Sequence, residues 1–457
     1  MKYGVERVSV VGLGKLGAPL AAVMASKGFR VIGVDVNEKF VALLNAGKAP
    51  VQEPGLQEMI DGSRERLRAT ADFADAVHHS DVTFIIVPTP SNEHGVFTNK
   101  YVLSAVTAIG EALRSKAGYH VVNITSTVMP GSTDGEIRDA LERSSGRQVG
   151  EDVGLCYNPE FIALGTVIRD MLHPDAILIG ESDARAGDVL ESIYRRVCRP
   201  DIPVQRMNLV NAELTKISVN TFITTKISYA NMLADICDRI PGADVDVVTA
   251  AVGLDSRIGR KYLKGALGYG GPCFPRDNIA FSALARRLGA RPDLAEATDA
   301  INSYQTERLI GVVMGNLAIG GTVGVLGLSY KPDTGVIEES PGIDLAKKLA
   351  AEGYKVTVYD PQALGSAAAV LRDAVKPARS LEECVRQADL LVIATAWREF
   401  RELPVTGLSR LEGKLPIIDC WRVLDPQRYG TLAKLIHLGR GPSQPGEASD
   451  IAASAAG

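Results

Sequence analysis

The chain lacks closely spaced cysteines and any excess of one charge, and each lack removes a class of function. Six cysteines, at 156, 198, 237, 273, 384 and 420, lie far apart with no CxxC pair and no histidine pair beside them. That spacing suggests neither a zinc site nor a disulfide framework, so no metal is expected and a reducing cytoplasm fits best. Against 50 Lys and Arg stand 54 Asp and Glu, a net charge of -4, so no broad field draws nucleic acid or an anionic membrane. Any phosphate ligand has to be held locally. No apolar run is long enough to span a bilayer. The N-terminus enters VSVVGLG almost at once, which reads as a strand and a glycine turn, not as a signal peptide.

What is present is enough for large cores: 457 residues, 46% hydrophobic, correspond to about three domains. Through the first 150 residues short apolar runs (VSVVGLG, RVIGVDV, VTFIIVPTP, HVVNITST, then VGLCYNPEF) alternate with amphipathic stretches, the pattern of a parallel sheet flanked by helices. GLGKLG places Gly12, Gly14 and Gly17 directly after a β-branched run and directly before the helical PLAAVMASKG. A dinucleotide fingerprint needs this context: a tight turn at the first glycine, close pyrophosphate approach at the second, helix packing at the third. Asp35 ends the next strand, where a carboxylate accepts the ribose hydroxyls, and no arginine follows it at once. NAD is therefore the expected cofactor.

A related pattern returns as TVGVLGLSYKP, the helical SPGIDLAKKLAAEGYK and KVTVYDP ending in Asp360. Its glycine turn lacks the third glycine, so it reads as a second Rossmann-like domain holding something other than the dinucleotide. Between the two, NAELTKISVNTFITTKISYANMLADICDRI keeps helical spacing without Gly or Pro for about eight turns. The expected fold is α/β, two Rossmann-like parallel-sheet domains joined by a long central helix. Expected boundaries are 1–205 for the NAD-binding domain, 206–310 for a central helical domain, 311–437 for the second Rossmann-like domain and 438–457 for a disordered tail. Glu213, Lys216 and Asn220 share one helix face. Glu213 reads as part of a solvated polar stripe, whereas apolar neighbours favour burial for Lys216 and Asn220.

The decapeptide GYGGPCFPRD sets Cys273 in a glycine-rich loop stiffened by Pro272 and Pro275, with Asp277 four residues on. Gly270 and Gly271 remove Cβ bulk, so backbone and ligand approach the sulfur closely. Taken alone, the loop also suits a cysteine that packs as a small hydrophobe.

GLGKLG, STVMPGS, NPEF, AELTKISVN, DSRIG, GYGGPCFPRD, GLSYKP and ESP occur in one order, and with them the chain resembles the UDP-glucose 6-dehydrogenase family, within the wider nucleotide-sugar dehydrogenases. The resemblance covers residue 5 to about residue 430. It implies a four-electron oxidation of a sugar C6 alcohol to a carboxylate using two NAD, through a thiohemiacetal and thioester on Cys273. It implies catalytic roles for Lys216, Asn220, Asp277, Glu160 and Thr127, and cofactor contacts at Gly12, Gly14, Leu16, Gly17, Asp35, Thr89, Pro90, Thr127 and Arg276. Substrate contacts are implied at Glu160, Phe161, Ile162, Leu164, Lys216, Asn220, Arg257, Tyr262, Gly270 and Lys331. A homodimer through the central helix, with Arg257 reaching across it, is implied as well. UDP-glucose is the expected substrate; UDP-N-acetylhexosamines and GDP-mannose are the alternatives.

The chain departs from the family pattern at Ala163 and Trp421, where arginine is usual, at Glu338, a reversal of charge, and at Pro272 and Arg276 beside the cysteine. These departures bear on sugar identity and NAD affinity. A two-electron hydroxy-acid dehydrogenase with an incidental cysteine is the rival enzyme; a non-catalytic NAD-sensing or scaffold protein is the rival of another class.

Overall fold

The computed structural model describes residues 4–408 and 413–442 and divides into two compact units, residues 1–219 and 220–457. In the first unit eight strands form one sheet: β1 (Arg7–Val11), β2 (Arg30–Val34), β3 (Leu67–Thr70), β4 (Val82–Ile85), β5 (His120–Ile124), β6 (Val153–Tyr157), β7 (Ile177–Glu181) and β8 (Val204–Asn208). Their order is β3-β2-β1-β4-β5-β6-β7-β8. The first six strands have the doubly wound order, which places a ligand crevice at the carboxyl ends of β1 and β4, where the order reverses. The first six strands pair parallel, as expected; β6 and β7 pair antiparallel, and β8 continues parallel to β7. Apolar side chains on both faces of the strands build two separate cores, one around Val10, Leu20 and Phe29, the other around Ile85, Ile109 and Leu155. Burial on both faces is why β1, β2, β4, β5 and β6 read as largely apolar runs.

The second unit repeats the plan with β9 (Thr322–Leu326), β10 (Lys355–Tyr359), β11 (Lys376–Pro377), β12 (Leu390–Ile393), β13 (Leu415–Asp419) and β14 (Ala433–His437) in the order β11-β10-β9-β12-β13-β14. All its pairs are parallel. The echo extends to single bonds. Gly12 N–H donates to the Val34 carbonyl at 2.7 Å and Gly327 N–H to the Tyr359 carbonyl at 2.8 Å, each joining a glycine turn to the next strand. The third glycine, judged missing from the sequence, is present as Gly342. A Cβ there would lie 2.2 Å from the Gly327 carbonyl oxygen, as one at Gly17 would lie 1.7 Å from that of Gly12. The inserted segment 328–340 separates the two glycines in sequence and leaves their packing unchanged.

The long helix runs without interruption from Leu209 to Asp238. At the other end of the chain, residues 438–442 were expected to open the disordered tail but are ordered. Gly439 N–H donates to Asp238 Oδ1 at 2.5 Å, and Arg440 pairs with Asp244 at 2.8 Å. Residues 443–457, the rest of that expected tail, lie outside the described residues. Among the described residues no helix is long and apolar enough to cross a membrane.

Candidate active site

The first unit brings its candidates together in two places. At the glycine turn, Gly12 adopts φ +96°, and its own missing Cβ would meet the Ile86 carbonyl at 2.3 Å. Leu16 caps the helix Gly17–Ser26. Gly14 faces open space, with nothing within 4 Å of where its Cβ would stand. That vacancy at the mouth of a helix N-terminus is what a pyrophosphate requires. Asp35 is partly exposed, its Oδ2 accepting from Leu13 N–H at 2.6 Å and its Oδ1 from Asn37 N–H at 2.8 Å. Two carboxylate oxygens with spare lone pairs at this edge suit ribose hydroxyls, so these residues fit NAD. Nearby in the fold, the Thr89 hydroxyl donates to the Thr127 carbonyl at 2.7 Å, and the Pro90 carbonyl accepts from Thr98 N–H at 2.9 Å.

The corresponding acid of the second unit is closed. Asp360 is buried, with Oδ2 taking the N–H groups of Leu328 (2.8 Å) and Ser329 (3.0 Å), the Ser329 hydroxyl and the Trp397 indole, while Oδ1 takes Gln362 and Ala363 N–H. A carboxylate so saturated has no capacity left for a ribose. The two glycine turns therefore share a plan and differ in what they offer a ligand.

The second place in the first unit centres on Lys216. It is buried, as its apolar neighbours implied, and its Nζ donates to the Glu160 carbonyl at 2.8 Å and lies 4.8 Å from the Phe161 ring centroid. The Glu160 carboxyl is pushed up to about 7 by desolvation, against the pull of Lys216 and a hydrogen bond from Tyr194. Tyr194, which the sequence did not single out, donates to Asn158 Oδ1 and reaches Glu160 Oε1 at 3.4 Å. Phe161 is exposed, whereas Ile162 and Leu164 pack against the core. Ala163 donates no cation where the family pattern has one; its N–H points to Asp170 at 3.4 Å. The Glu53 carboxylate takes Gly165 and Val167 N–H at 3.1 and 2.8 Å and anchors the far end of this loop.

Glu213 corrects the sequence reading. It is fully buried, and its carboxylate accepts Gly131 N–H at 2.6 Å and Thr133 N–H at 2.7 Å. Its partners lie 82 and 80 positions away in the chain, which is why helical spacing alone suggested a solvated stripe.

In the second unit Cys273 occupies the N-cap of the helix Phe274–Arg287, with Pro275 inside the first turn, so the expected loop is already a helix start. It is exposed, while the other five cysteines are buried. The positive end of a helix favours negative charge, which is what a reacting sulfur needs. Asp277 sits one turn on, its N–H donating to the Cys273 carbonyl at 2.8 Å. Its Oδ2 accepts from Asn220 Nδ2 at 2.6 Å, and both side chains are buried. Asp277 Oδ1 makes no hydrogen bond, and Arg276 Nε stands 3.6 Å away.

The paired glycines have a packing reason. A Cβ at Gly270 would strike the Glu339 carbonyl at 2.1 Å and one at Gly271 the Tyr330 ring at 2.6 Å. Tyr330 was not foreseen; burial, together with neighbouring Cys273 and Glu338, pushes its phenol well up. Lys331 Nζ lies 5.8 Å from the Tyr330 ring centroid. Tyr262 takes φ +64°, unfavourable for an aromatic residue, and its ring meets Phe274 edge-on at 6.1 Å. Arg257 is exposed and forks onto its own neighbour Asp255 at 2.6 Å. Glu338 is exposed, its carbonyl accepting Gly271 N–H at 3.0 Å. Trp421 is spoken for by the fold: its indole N–H donates to the Ala394 carbonyl at 2.8 Å and its ring packs on the core.

Three domain models of one family cover the chain in order: the NAD binding domain at 6–198, the central domain at 210–304 and the UDP binding domain at 324–426. The UDP-glucose 6-dehydrogenase AglM of Haloferax volcanii is 38% identical over 402 residues, 87% of this chain and 92% of that protein. The GDP-mannose 6-dehydrogenase of Pseudomonas aeruginosa is 35% identical over 358 residues, 78% of this chain and 81% of that protein. The structure of a UDP-glucose dehydrogenase from Pyrobaculum islandicum superposes with a TM-score of 0.85 at 36% identity, covering 95% of this chain and 97% of that one. With an open glycine turn for the dinucleotide, a cysteine at a helix start and all three domain models matched in order, the chain belongs to the UDP-glucose/GDP-mannose dehydrogenase family of NAD-dependent nucleotide-sugar 6-dehydrogenases.

Proposed function

We propose that this protein oxidises UDP-glucose to UDP-glucuronate in two NAD-dependent steps. The observation that carries the chemistry is Cys273, exposed at a helix N-terminus one turn before a buried Asp277 that is bonded to Asn220. The choice of glucose is supported by UDP-glucose 6-dehydrogenases among the relatives at 33 and 38% identity, and the choice of nucleotide by the UDP binding domain match. Gly12, Gly14, Leu16, Gly17, Asp35, Thr89, Pro90, Thr127 and Arg276 are the residues proposed to hold NAD. Bound NAD supplies the hydride acceptor for both oxidations.

The roles follow from the charges that the path creates. Loss of hydride and a proton turns the C6 alcohol into an aldehyde, and the developing alkoxide needs a donor. Lys216 spends one of its three ammonium hydrogens on the Glu160 carbonyl and keeps others for that oxygen. The Cys273 thiolate then adds to the aldehyde carbon and forms a thiohemiacetal, whose carbon bears a hydrogen and an oxyanion. Asn220 gives one amide hydrogen to Asp277 and has a second for that oxyanion. Loss of the second hydride leaves a thioester. Water adds, the carboxylate forms and the thiolate departs; Glu160 and Asp277 Oδ1 are the proton acceptors for that water. Phe161, Ile162, Leu164, Arg257, Tyr262, Gly270 and Lys331 are the proposed sugar-nucleotide contacts.

A homodimer in the cytoplasm completes the reading. Val210, Leu214, Phe222, Tyr229, Met232 and Ile236 are all exposed and recur at helical spacing along the long helix, an apolar stripe suited to a second copy. The test of function is NADH formed per mole of limiting UDP-glucose, with Cys273→Ser beside it. Two NADH in the wild type, lost in the variant, are expected. One NADH with an indifferent variant would establish a two-electron dehydrogenase instead, and turnover of GDP-mannose or a UDP-N-acetylhexosamine alone would move the sugar.

A further inference from the structure

Glu213 has no place in the chemistry above, yet it is a carboxylate with none of its side chain exposed. Burying such a group is unfavourable unless strong hydrogen bonds compensate. The compensation is specific: two oxygens for two backbone N–H groups, those of Gly131 and Thr133, at 2.6 and 2.7 Å. A glutamine accepts only one of them, and its amide hydrogens would face the other.

The loop so gripped is the one that carries Thr127. Upstream it is fixed by Ser126, whose hydroxyl accepts Val87 N–H at 2.9 Å and donates to the Val87 carbonyl at 2.7 Å, and by the bond from Thr89 to the Thr127 carbonyl. Val128 and Met129 are buried below it. Downstream the only side-chain hold on the backbone of residues 130–133, among the described residues, is Glu213. Glu213 is also three residues from Lys216 on the same face of the same helix.

We propose that Glu213 is a positioning residue that sets the Thr127 loop against the Lys216 turn, and that this setting is required for NAD to be held and oxidation to proceed. The proposal rests on the assignment of Thr127 and Thr89 to the cofactor. Its structural content is that a carboxylate, with two acceptors, is needed at this position.

The test measures NAD binding by calorimetry on the purified full chain, without sugar, for wild type, Glu213→Gln and Glu213→Asp. Steady-state kinetics are run with whichever nucleotide sugar the wild type oxidises. Glu213→Gln is expected to weaken NAD binding about tenfold and to lower kcat, with the KM for the sugar nucleotide unchanged. Glu213→Asp, which keeps both acceptors, is expected to recover part of both losses. Wild-type NAD affinity in folded Glu213→Gln overturns the proposal, as does a loss that merely tracks the folded fraction. If Glu213→Gln does not fold, Glu213→Asp decides alone: wild-type affinity and kcat there overturn the proposal, and an intermediate loss supports it. A wild type that binds NAD but turns over no nucleotide sugar defeats the proposed reaction, and the binding series still reads the role of Glu213.

Discussion

Asn220 Nδ2 and Asp277 Oδ2 stand 2.6 Å apart in a buried hydrogen bond that ties the long helix to the helix begun by Cys273. The bond orients both groups at once: it fixes which amide hydrogen of Asn220 is committed and leaves Asp277 Oδ1 available. Asp277→Asn keeps the shape and an oxygen for Asn220 but removes the basic oxygen. It is expected to lower kcat by about 10²-fold, within the usual contribution of a positioned acid or base, with a melting temperature close to wild type. Steady-state rates and a thermal melt check both halves. A kcat within a factor of two of wild type would reduce Asp277 to a structural partner.

The glycine turn separates ligand effects from packing effects. Gly14 has nothing within 4 Å of its Cβ position, so Gly14→Ala is expected to leave the melting temperature of the unliganded protein unchanged and to weaken NAD binding at least tenfold. Gly17→Ala puts a methyl group 1.7 Å from the Gly12 carbonyl oxygen, so it is expected to destabilise the unliganded fold by about 2 kcal/mol or more. Melts with and without NAD distinguish the two. Equal behaviour of the two variants would mean that the open space at Gly14 is not where the pyrophosphate goes.

Most of the architecture was legible because it is local. Strand runs, glycine turns and the long helix write themselves in windows of a few residues, and Gly12, Gly17 and Asp35 stand at their expected places. What was missed depends on contacts distant in sequence. Gly342 could not be recognised as the third glycine of its turn because the segment 328–340 intervenes, and only packing against the Gly327 carbonyl reveals it. Glu213 was misread because a helical period tells which residues share a face and not what that face meets. Tyr194 carries no motif of its own, and Tyr330 stands inside GLSYKP without a role assigned to it there; a signal for Tyr330 lay in Gly271, since a glycine beside a reactive cysteine implies that some group approaches it.

Arg422 shows a cation turned to structure. Its side chain is 1% exposed, forks onto Asp246 at 2.7 and 2.9 Å, and donates to the carbonyls of Gly265 and Leu438 at 2.7 and 2.6 Å. It follows Trp421, whose indole is also committed to a backbone carbonyl. Arg422→Ala leaves those acceptors unpaired and is expected to destabilise the protein by about 3 kcal/mol, the low end for a buried pair because Asp246 is partly exposed. Urea titration measures it. A change below about 1 kcal/mol, the range of surface pairs, would show that water replaces the guanidinium freely.

Glu160 makes stability and activity respond to pH in opposite directions. Its carboxyl titrates near 7 in the folded protein, raised by desolvation, against an ordinary value of 4.5. Between those values the folded chain binds more protons than the unfolded one, so its contribution is fully present below about pH 4.5 and is lost as pH rises through 7. Glu160→Gln cannot ionise there, so its stability relative to wild type is expected to improve across that window, by an amount on the order of a few kcal/mol. Activity needs the ionised form if Glu160 accepts the proton of the attacking water. The wild-type kcat is therefore expected to fall on the acid side with an apparent midpoint near 7, and that limb is expected to vanish from the residual activity of Glu160→Gln. Urea melts and rate profiles from pH 5 to 9 read both. A variant that keeps the wild-type acid limb would assign the titration to another group and leave Glu160 as a backbone anchor for Lys216.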